Sequence, residues 1–581
     1  MPDMAQTDRL LIALAQLDPT VGDVDGNLGK ARAARAQAAL LGADVVMFPE
    51  LFLAGYPPED LVLKPAFQQA CRAACDALAR ETVDDGPTVL IGLPWFEDGV
   101  LTNAFVHLAG GRIDALRHKV DLPNYGVFDE KRVFAAGPMP GPIVIKGVRI
   151  GLPICEDIWT PDVVECLAET GSEIILVPNG SPYWRDKNDT RLNIAVSRVT
   201  ESGLPLVYLN QVGGQDELVF DGASFVLNAN GALAVQMPAF REHMSLTEWT
   251  RGPGGWVCST GERHLIEEGD QGDYAACMLG LRDYVNKNGF PGVVLGLSGG
   301  IDSAICAAMA VDALGADRVH AIMLPSRYTS KDSLEDAALC ATALGIRYDT
   351  VPISDTVDAF EATLAPLFAG RKADITEENL QSRTRGTILM AISNKFGPMV
   401  VTTGNKSEMS VGYATIYGDM NGGFNPIKDL YKMEVYRLSD LRNAWKPEGA
   451  LGPDGVVIPV RILTKAPSAE LRDNQTDQDS LPPYEDLDAV LERLVERELH
   501  VAEIIAEGFD GDMVRRIERL LHLAEYKRRQ SAPGVKVTLR NFGRDRRYPI
   551  VNRFRDQGLP PYEPDQALRK SSSAANVMDM T

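Results

Sequence analysis

Short apolar runs alternate with stretches of helical periodicity along most of the chain. In the first half, Leu10–Ala15, Val45–Phe48, Val89–Ile91, Ile150–Ile154, Ile174–Val177 and Leu206–Leu209 read as strands, and Leu28–Leu41 reads as a helix. The rhythm breaks near 245–272, around Arg251-Gly252-Pro253-Gly254-Gly255 and the acidic run Glu267–Asp273. It resumes with Tyr274–Val285, a helical pattern that stops at Asn288-Gly289. Strand and helix patterns then alternate: Val293–Leu297, Ala304–Leu314, Val319–Leu324, Leu334–Leu344, Tyr348–Ile353, Leu380–Phe396 and Met399–Thr403. Such alternation predicts a parallel sheet with helices on both faces, an α/β architecture. The reading is therefore two α/β units, 8–245 and 272–565, joined by a linker at 246–271. The polar, Ser/Ala-rich stretch 566–581 is expected to be disordered.

A chain of 581 residues is long enough for two sizeable cores. The net charge of −22 argues against a general nucleic-acid binder, though not against nucleotide substrates held in a local cationic pocket. No apolar run reaches the roughly 18 residues of a membrane helix, and the start lacks a basic segment followed by a long apolar core. Eight cysteines without a Cys-x-x-Cys pair fit a reducing compartment, so a cytoplasmic location is expected. Cys71 and Cys75 are spaced for one helix face, as a buried pair. The seven histidines do not cluster in sequence, which argues against zinc.

One stretch carries specific chemistry: Gly296-Leu297-Ser298-Gly299-Gly300-Ile301-Asp302-Ser303, between a strand and a helix. Glycines let the backbone approach a ligand closely. Amides at a helix N-terminus bind anions. Asp302 would repel phosphate unless a cation such as Mg²⁺ sat between them. No Gly-Lys-Ser/Thr ends the loop, so it is not a kinase-type P-loop. It resembles the pyrophosphate loop of the AMP-forming, ATP-dependent synthetases.

In the first unit three reactive residues directly follow apolar runs. Glu50 ends Val45–Pro49, Lys119 follows Ile113–Arg117, and Cys155 ends Ile150–Ile154. Singly, each is most often a core thiol or a solvated edge charge. Together, the segments Phe48-Pro49-Glu50-Leu51, His118-Lys119-Val120-Asp121-Leu122-Pro123 and Ile154-Cys155-Glu156-Asp157 resemble the carbon–nitrogen hydrolase (nitrilase) superfamily. That resemblance implies an αββα sandwich with Glu50 as base, Cys155 as nucleophile and Lys119 as oxyanion stabiliser; Glu130 matches a supporting glutamate. The residue types suit amide cleavage through a thioester. The glutaminase branch implies glutamine as substrate, held by Tyr125, Ser181 and Lys187, with Arg185 competing with Lys187 for the carboxylate.

In the second unit, the segments Glu378–Arg385, Thr402–Glu408, Tyr417-Gly418-Asp419, Pro467–Leu471 and Glu525–Arg529 resemble the NAD synthetases. With the amidase unit in front, the whole chain resembles the glutamine-dependent NAD synthetases. The implied reaction is ATP-dependent amidation of deamido-NAD through an adenylate, in a doubly wound domain of the ATP-pyrophosphatase type. By resemblance, Gly296, Leu297, Ser298, Gly299, Gly300, Ile301, Asp302, Ser303, Thr403, Lys432 and Ser468 contact ATP. Asp302 and Glu408 match Mg²⁺ ligands. Asn379, Arg383, Glu408, Asp419 and Lys527 match deamido-NAD positions. A homo-oligomer is expected on the same ground. The alternatives are another AMP-forming glutamine amidotransferase, or a non-catalytic nucleotide or nitrogen sensor.

Overall fold

The structure is a computed structural model and describes residues 7–558. The stretch 566–581 lies outside the described residues. In the first domain, seven strands form one sheet in the order Gly255–Cys258, His243–Gly252, Arg9–Gln16, Val45–Met47, Thr88–Glu97, Val100–Ala109, Arg112–His118. Six form another: Leu233–Gln236, Phe225–Leu227, Leu206–Asn210, Ile174–Asn179, Val148–Gly151, Ile143–Ile145. Alternation along the strands sorts the apolar side chains into layers. Ile12, Leu14, Val45, Met47 and Leu90 pack between the sheets against Ile150, Ile174, Leu176, Val207 and Leu209. Their opposite neighbours Ala13, Val46 and Val89 meet the helices Val24–Leu40 and Pro65–Glu81. Ile175, Val177 and Tyr208 meet Asp162–Glu169 and Lys187–Ser202. The result is the expected αββα sandwich. Cys71 and Cys75 are both buried on Pro65–Glu81.

The stretch 246–271, expected as a linker, instead begins as sheet. His243–Gly252 pairs antiparallel with Arg9–Gln16 along its length, and Gly255–Cys258 pairs back onto it. The Gly-Pro-Gly-Gly run that suggested a break is the turn of this hairpin. The inward face is Ser245, Thr247 and Trp249, two of them polar, so an apolar count misses the strand.

The second domain has a four-stranded parallel sheet in the order Arg347–Thr350, Val319–Met323, Val293–Gly296, Met399–Val400. Strand order reverses beside Val293–Gly296, the place where open α/β sheets bind ligands. Helices Gly269–Lys287, Ile301–Leu314 and Lys432–Ala444 cover one face, and Ser354–Leu364 and Ile375–Phe396 the other. A helical block, Tyr484–Val495, Val501–Ala506 and Gly511–Leu523, packs beside Val411 and Tyr431.

The two domains share one core. Tyr183, Val212, Val219, Ala223 and Phe240 of the first pack in the same cluster as Tyr274–Leu281 of the second. Contact there is backbone to backbone: a Cβ on Gly214 would stand 3.0 Å from the Cα of Gly280. The Gly214 amide donates to Asp283 Oδ2 at 2.6 Å, and Lys287 Nζ donates to Asp18 at 2.6 Å.

Candidate active sites

Glu50, Lys119 and Cys155 come together where strands of the two facing sheets end. Lys119 Nζ lies 2.7 Å from Glu50 Oε1 and 2.9 and 3.0 Å from the Glu130 oxygens, all buried. Asn103 Nδ2 donates to Glu50 Oε1 at 2.7 Å and the Gly180 amide to Oε2 at 2.9 Å. A Cβ at Gly180 would sit 2.7 Å from the Tyr56 ring, so this close approach requires glycine. Tyr56 donates to Glu130 at 2.8 Å. Burial disfavours the Lys119 charge, but Glu130 and Glu50 outweigh it and hold the ammonium well above its usual range. Burial pushes Glu130 up to about 7, against the pull of Lys119.

Cys155 opens the single turn Cys155–Ile158 with φ of 47°, a strained conformation that presents the thiol at a bend. Asp157 fixes that bend: its carboxylate accepts from the amides of Ile154 at 2.8 Å, Val120 at 3.0 Å and Asp121 at 2.7 Å. One side chain thus ties the cysteine turn to the segment after Lys119. Burial, then the Glu50 charge, pushes the thiol well above its usual range, with Lys119 opposing. The resting sulfur is a thiol that needs a base.

Around this centre, Tyr125 donates to Glu156 Oε1 at 2.9 Å. Ser181 accepts from Arg191 Nε at 3.0 Å, and Arg191 pairs with Asp221 at 2.7 Å. Lys187 Nζ lies 3.4 Å from the Trp184 ring centroid and 4.1 Å from that of Trp159. Burial, then the Arg191 charge, pushes its amine down to about 6. Arg185 points elsewhere. It pairs with Asp273, and with Glu434 at 2.7 Å, across the domain junction. Arg185 is thus engaged at the domain junction, whereas Lys187 lies on the side of Cys155 and Glu156.

The second site is a cavity of ≈ 310 Å³ lined by Gly296 to Ser303, Thr403, Glu408, Asp419, Lys432 and Ser468, together with Arg385 and Lys465. The loop braces itself: the Ser298 amide donates to Ser303 Oγ at 3.2 Å, and Ser303 Oγ donates to the Gly300 carbonyl at 3.0 Å. At Gly299, φ is 80° and a Cβ would meet the Ser333 carbonyl at 2.4 Å. Lys432 Nζ sits 2.5 Å from Asp302 and 3.3 Å from Glu408, and Asn405 donates to Asp302 at 2.9 Å. Burial raises Glu408 to about 8, with Lys432 opposing and Asp302 adding to the rise. Two carboxylates converging on one cation are oxygen donors of the kind a hard divalent ion takes.

Asn379, Arg383, Asp419 and Lys527 are gathered by the segment 412–419. Asn379 accepts from Thr415 Oγ1 at 3.0 Å, and Arg383 donates to the Ile416 carbonyl at 3.2 Å. Asp419 accepts from the Thr415 amide at 2.7 Å, and Lys527 donates to Gly412 and Ala414 at 2.9 and 2.7 Å. Lys406, inside the Thr-Gly-Asn-Lys-Ser-Glu segment, is a buried clamp on Asp429 at 2.7 Å and on Thr538 at 2.8 Å. Asn103, Tyr56, Asp157, Arg191 and Arg385 escaped the sequence reading of the sites; Asn103 reaches Glu50 and Tyr56 reaches Glu130 across 53 and 74 positions of sequence.

A thiol–lysine–glutamate centre on an αββα sandwich, joined to a pyrophosphate-type loop at a sheet switch point, defines a two-site amide-nitrogen transferase. The carbon-nitrogen hydrolase family model matches residues 11–252 and the NAD synthase model residues 274–531. The chain belongs to the glutamine-dependent NAD(+) synthetase family. It is 55% identical over 552 residues to the Rhodobacter capsulatus enzyme of that name, covering 95% of this chain and 100% of that one. It is 47% identical to the Xanthomonas campestris enzyme, covering 94% and 98%. The Acinetobacter baumannii glutamine-dependent NAD+ synthetase, solved with adenosine diphosphate, superposes with TM-score 0.75 at 43% identity, over 94% of this chain and 99% of that one. Among the described residues, no helix is long and apolar enough to cross a membrane.

Proposed function

We propose that this chain amidates deamido-NAD with nitrogen released from glutamine, forming NAD, AMP, pyrophosphate and glutamate. The observation that carries the reading is the presence, in one chain of this family, of the Glu50–Lys119–Cys155 centre and the Ser298–Ser303 loop. At the first site Glu50 takes the Cys155 proton as sulfur attacks the glutamine amide carbon. Lys119 faces the oxygen where negative charge develops. Glu50 returns the proton to the departing ammonia, and water then cleaves the thioester. Glu130, within reach of Lys119 and Tyr56, positions the lysine. Tyr125, Ser181 and Lys187 hold the amino-acid end of glutamine, with Lys187 on its carboxylate.

At the second site the nicotinate carboxylate of deamido-NAD attacks the α-phosphorus of ATP, and ammonia displaces AMP from the adenylate. The backbone amides of Gly299 to Ser303 and the hydroxyls of Ser298 and Ser303 cradle the leaving pyrophosphate. Thr403 and Ser468 line the nucleotide wall, and Lys432 and Arg385 supply charge. Asp302 and Glu408 would hold Mg²⁺, which neutralises phosphate charge when bound. Asn379, Arg383, Asp419 and Lys527 receive deamido-NAD. We further propose a homo-oligomer. The test is product analysis with glutamine, ATP, Mg²⁺ and deamido-NAD. Equimolar NAD, AMP, pyrophosphate and glutamate are expected, and stoichiometric ADP would overturn the reading.

A further inference from the structure

A second cluster of ligand-type side chains lies away from both sites, where the first domain hands over to the second. His243 opens the strand His243–Gly252 of the seven-stranded sheet. Glu262 and His264 belong to the chain just after the hairpin, which runs along the edge strand of the other sheet. There the Gln236 amide donates to the Glu262 carbonyl at 3.0 Å, and the His264 amide donates to the Gln236 carbonyl at 3.0 Å. In extended backbone alternate residues share a face. Glu262 and His264 therefore point the same way, toward His243, while Arg263 turns off to the Leu233 carbonyl.

We propose that His243, Glu262 and His264 bind one divalent transition-metal ion, with Zn²⁺ the best match, as a staple between the two sheets. His243 Nε2 is 2.9 Å from both Glu262 oxygens, and His264 Nε2 is 3.0 Å from Oε2. The three ligand atoms lie within 4.8 Å of one another. Two ligands on one tetrahedral zinc ion stand roughly 3.3 Å apart, given bonds of about 2.0–2.1 Å. Each histidine–glutamate pair needs to open by only a few tenths of an ångström to admit the ion, and the 4.8 Å bound keeps the two histidine nitrogens within reach of the same centre.

The donor set chooses the metal class. Two imidazole nitrogens and one carboxylate suit zinc and its neighbours, whereas Mg²⁺ and Ca²⁺ prefer all-oxygen sites. The three side chains are 28%, 31% and 32% exposed, which leaves an entry path and an open fourth position for water. Among the described residues this is the one group of three or more His, Cys, Asp or Glu side chains with ligand atoms so placed. The histidines would bind through Nε2 as neutral imidazoles that keep their one ring proton on Nδ1. The ion would fasten the segment that leads into Gly269–Lys287, the first helix of the second domain.

The test uses the full chain, stripped with a chelator and titrated with Zn²⁺ against a chromophoric competitor. One equivalent bound in or below the micromolar range is expected, with a rise in melting temperature. Co²⁺ in the same site should give visible d–d bands without the near-ultraviolet thiolate charge-transfer band, which separates it from binding at Cys155. His243→Gln and His264→Gln should each weaken binding by at least about tenfold, and retained ammonium-driven synthesis reports that each variant is folded. Binding only at millimolar Zn²⁺, a thiolate band, or an equivalent that survives both substitutions would overturn the proposal.

Discussion

Lys187 offers a prediction whose size follows from its surroundings. The side chain is 1% exposed, and burial with the nearby Arg191 charge brings its amine down to about 6. The indole faces of Trp159 and Trp184 pull the other way by up to about 2 kcal/mol, a factor of about 30 in proton affinity. Near pH 8.5 the free amine is then at least about nine-tenths neutral. A glutamine carboxylate at about 4 Å adds about 4 kcal/mol at an effective dielectric of about 20, or three powers of ten. The bound amine is accordingly at least about three-quarters charged, and glutamine binding should take up about 0.8 proton. Because the complex holds the extra proton, affinity should fall as pH rises, by nearly tenfold per unit around pH 8. The assay is calorimetry of a Cys155→Ala variant, which cannot turn glutamine over, in two buffers of different ionisation enthalpy. Uptake below about 0.2 proton, or a Kd flat between pH 7.5 and 9, would refute the assignment of Lys187 to the carboxylate.

Cys155→Ala should abolish glutamine-driven synthesis and leave ammonium-driven synthesis near wild type; loss of both in a folded variant would defeat the two-site scheme. Asp302→Asn should abolish synthesis from either nitrogen source by at least about a thousandfold while glutaminase activity remains measurable, as seen by glutamate release. Arg185→Met should destabilise the chain by about 2–3 kcal/mol, just under the roughly 3–5 kcal/mol of a fully buried broken pair because Arg185 is partly exposed. Burial already raises Asp273 to about 6. A raised carboxylate makes the native state take up protons as pH falls, so the deficit should be larger at pH 8 than at pH 6. Urea midpoints at the two pH values decide it, and a deficit that grows on acidification would contradict the argument.

Much of the first site was legible because its residues sit at the ends of apolar strands, where local words carry the position of Glu50, Lys119 and Cys155. The Gly-rich loop was legible for the same reason: strand, turn and helix are contiguous. Partners remote in sequence were not. Asn103 is a polar residue inside the strand Val100–Ala109, and nothing beside it names Glu50 as its target. Arg185 looked like a rival for the substrate carboxylate until Asp273 and Glu434 arrived from the other domain. His243, Glu262 and His264 gave no spacing signal, because a hairpin and an edge-strand pairing bring them together.

The shared core also bears on how this chain could have been assembled and how it can be taken apart. The helix Gly269–Lys287 buries residues on all its sides, and the first domain supplies part of what covers it. Its Gly280 leaves no room for a methyl group, since a Cβ would press on Val535 at 2.6 Å and on Val219 at 3.0 Å, one from each domain. Cutting the gene between the two catalytic halves would therefore strip an apolar face on each piece and invite aggregation in place of two free enzymes. Substitutions along this seam are constrained in pairs, so a half transplanted from a distant relative must bring its side of the seam with it.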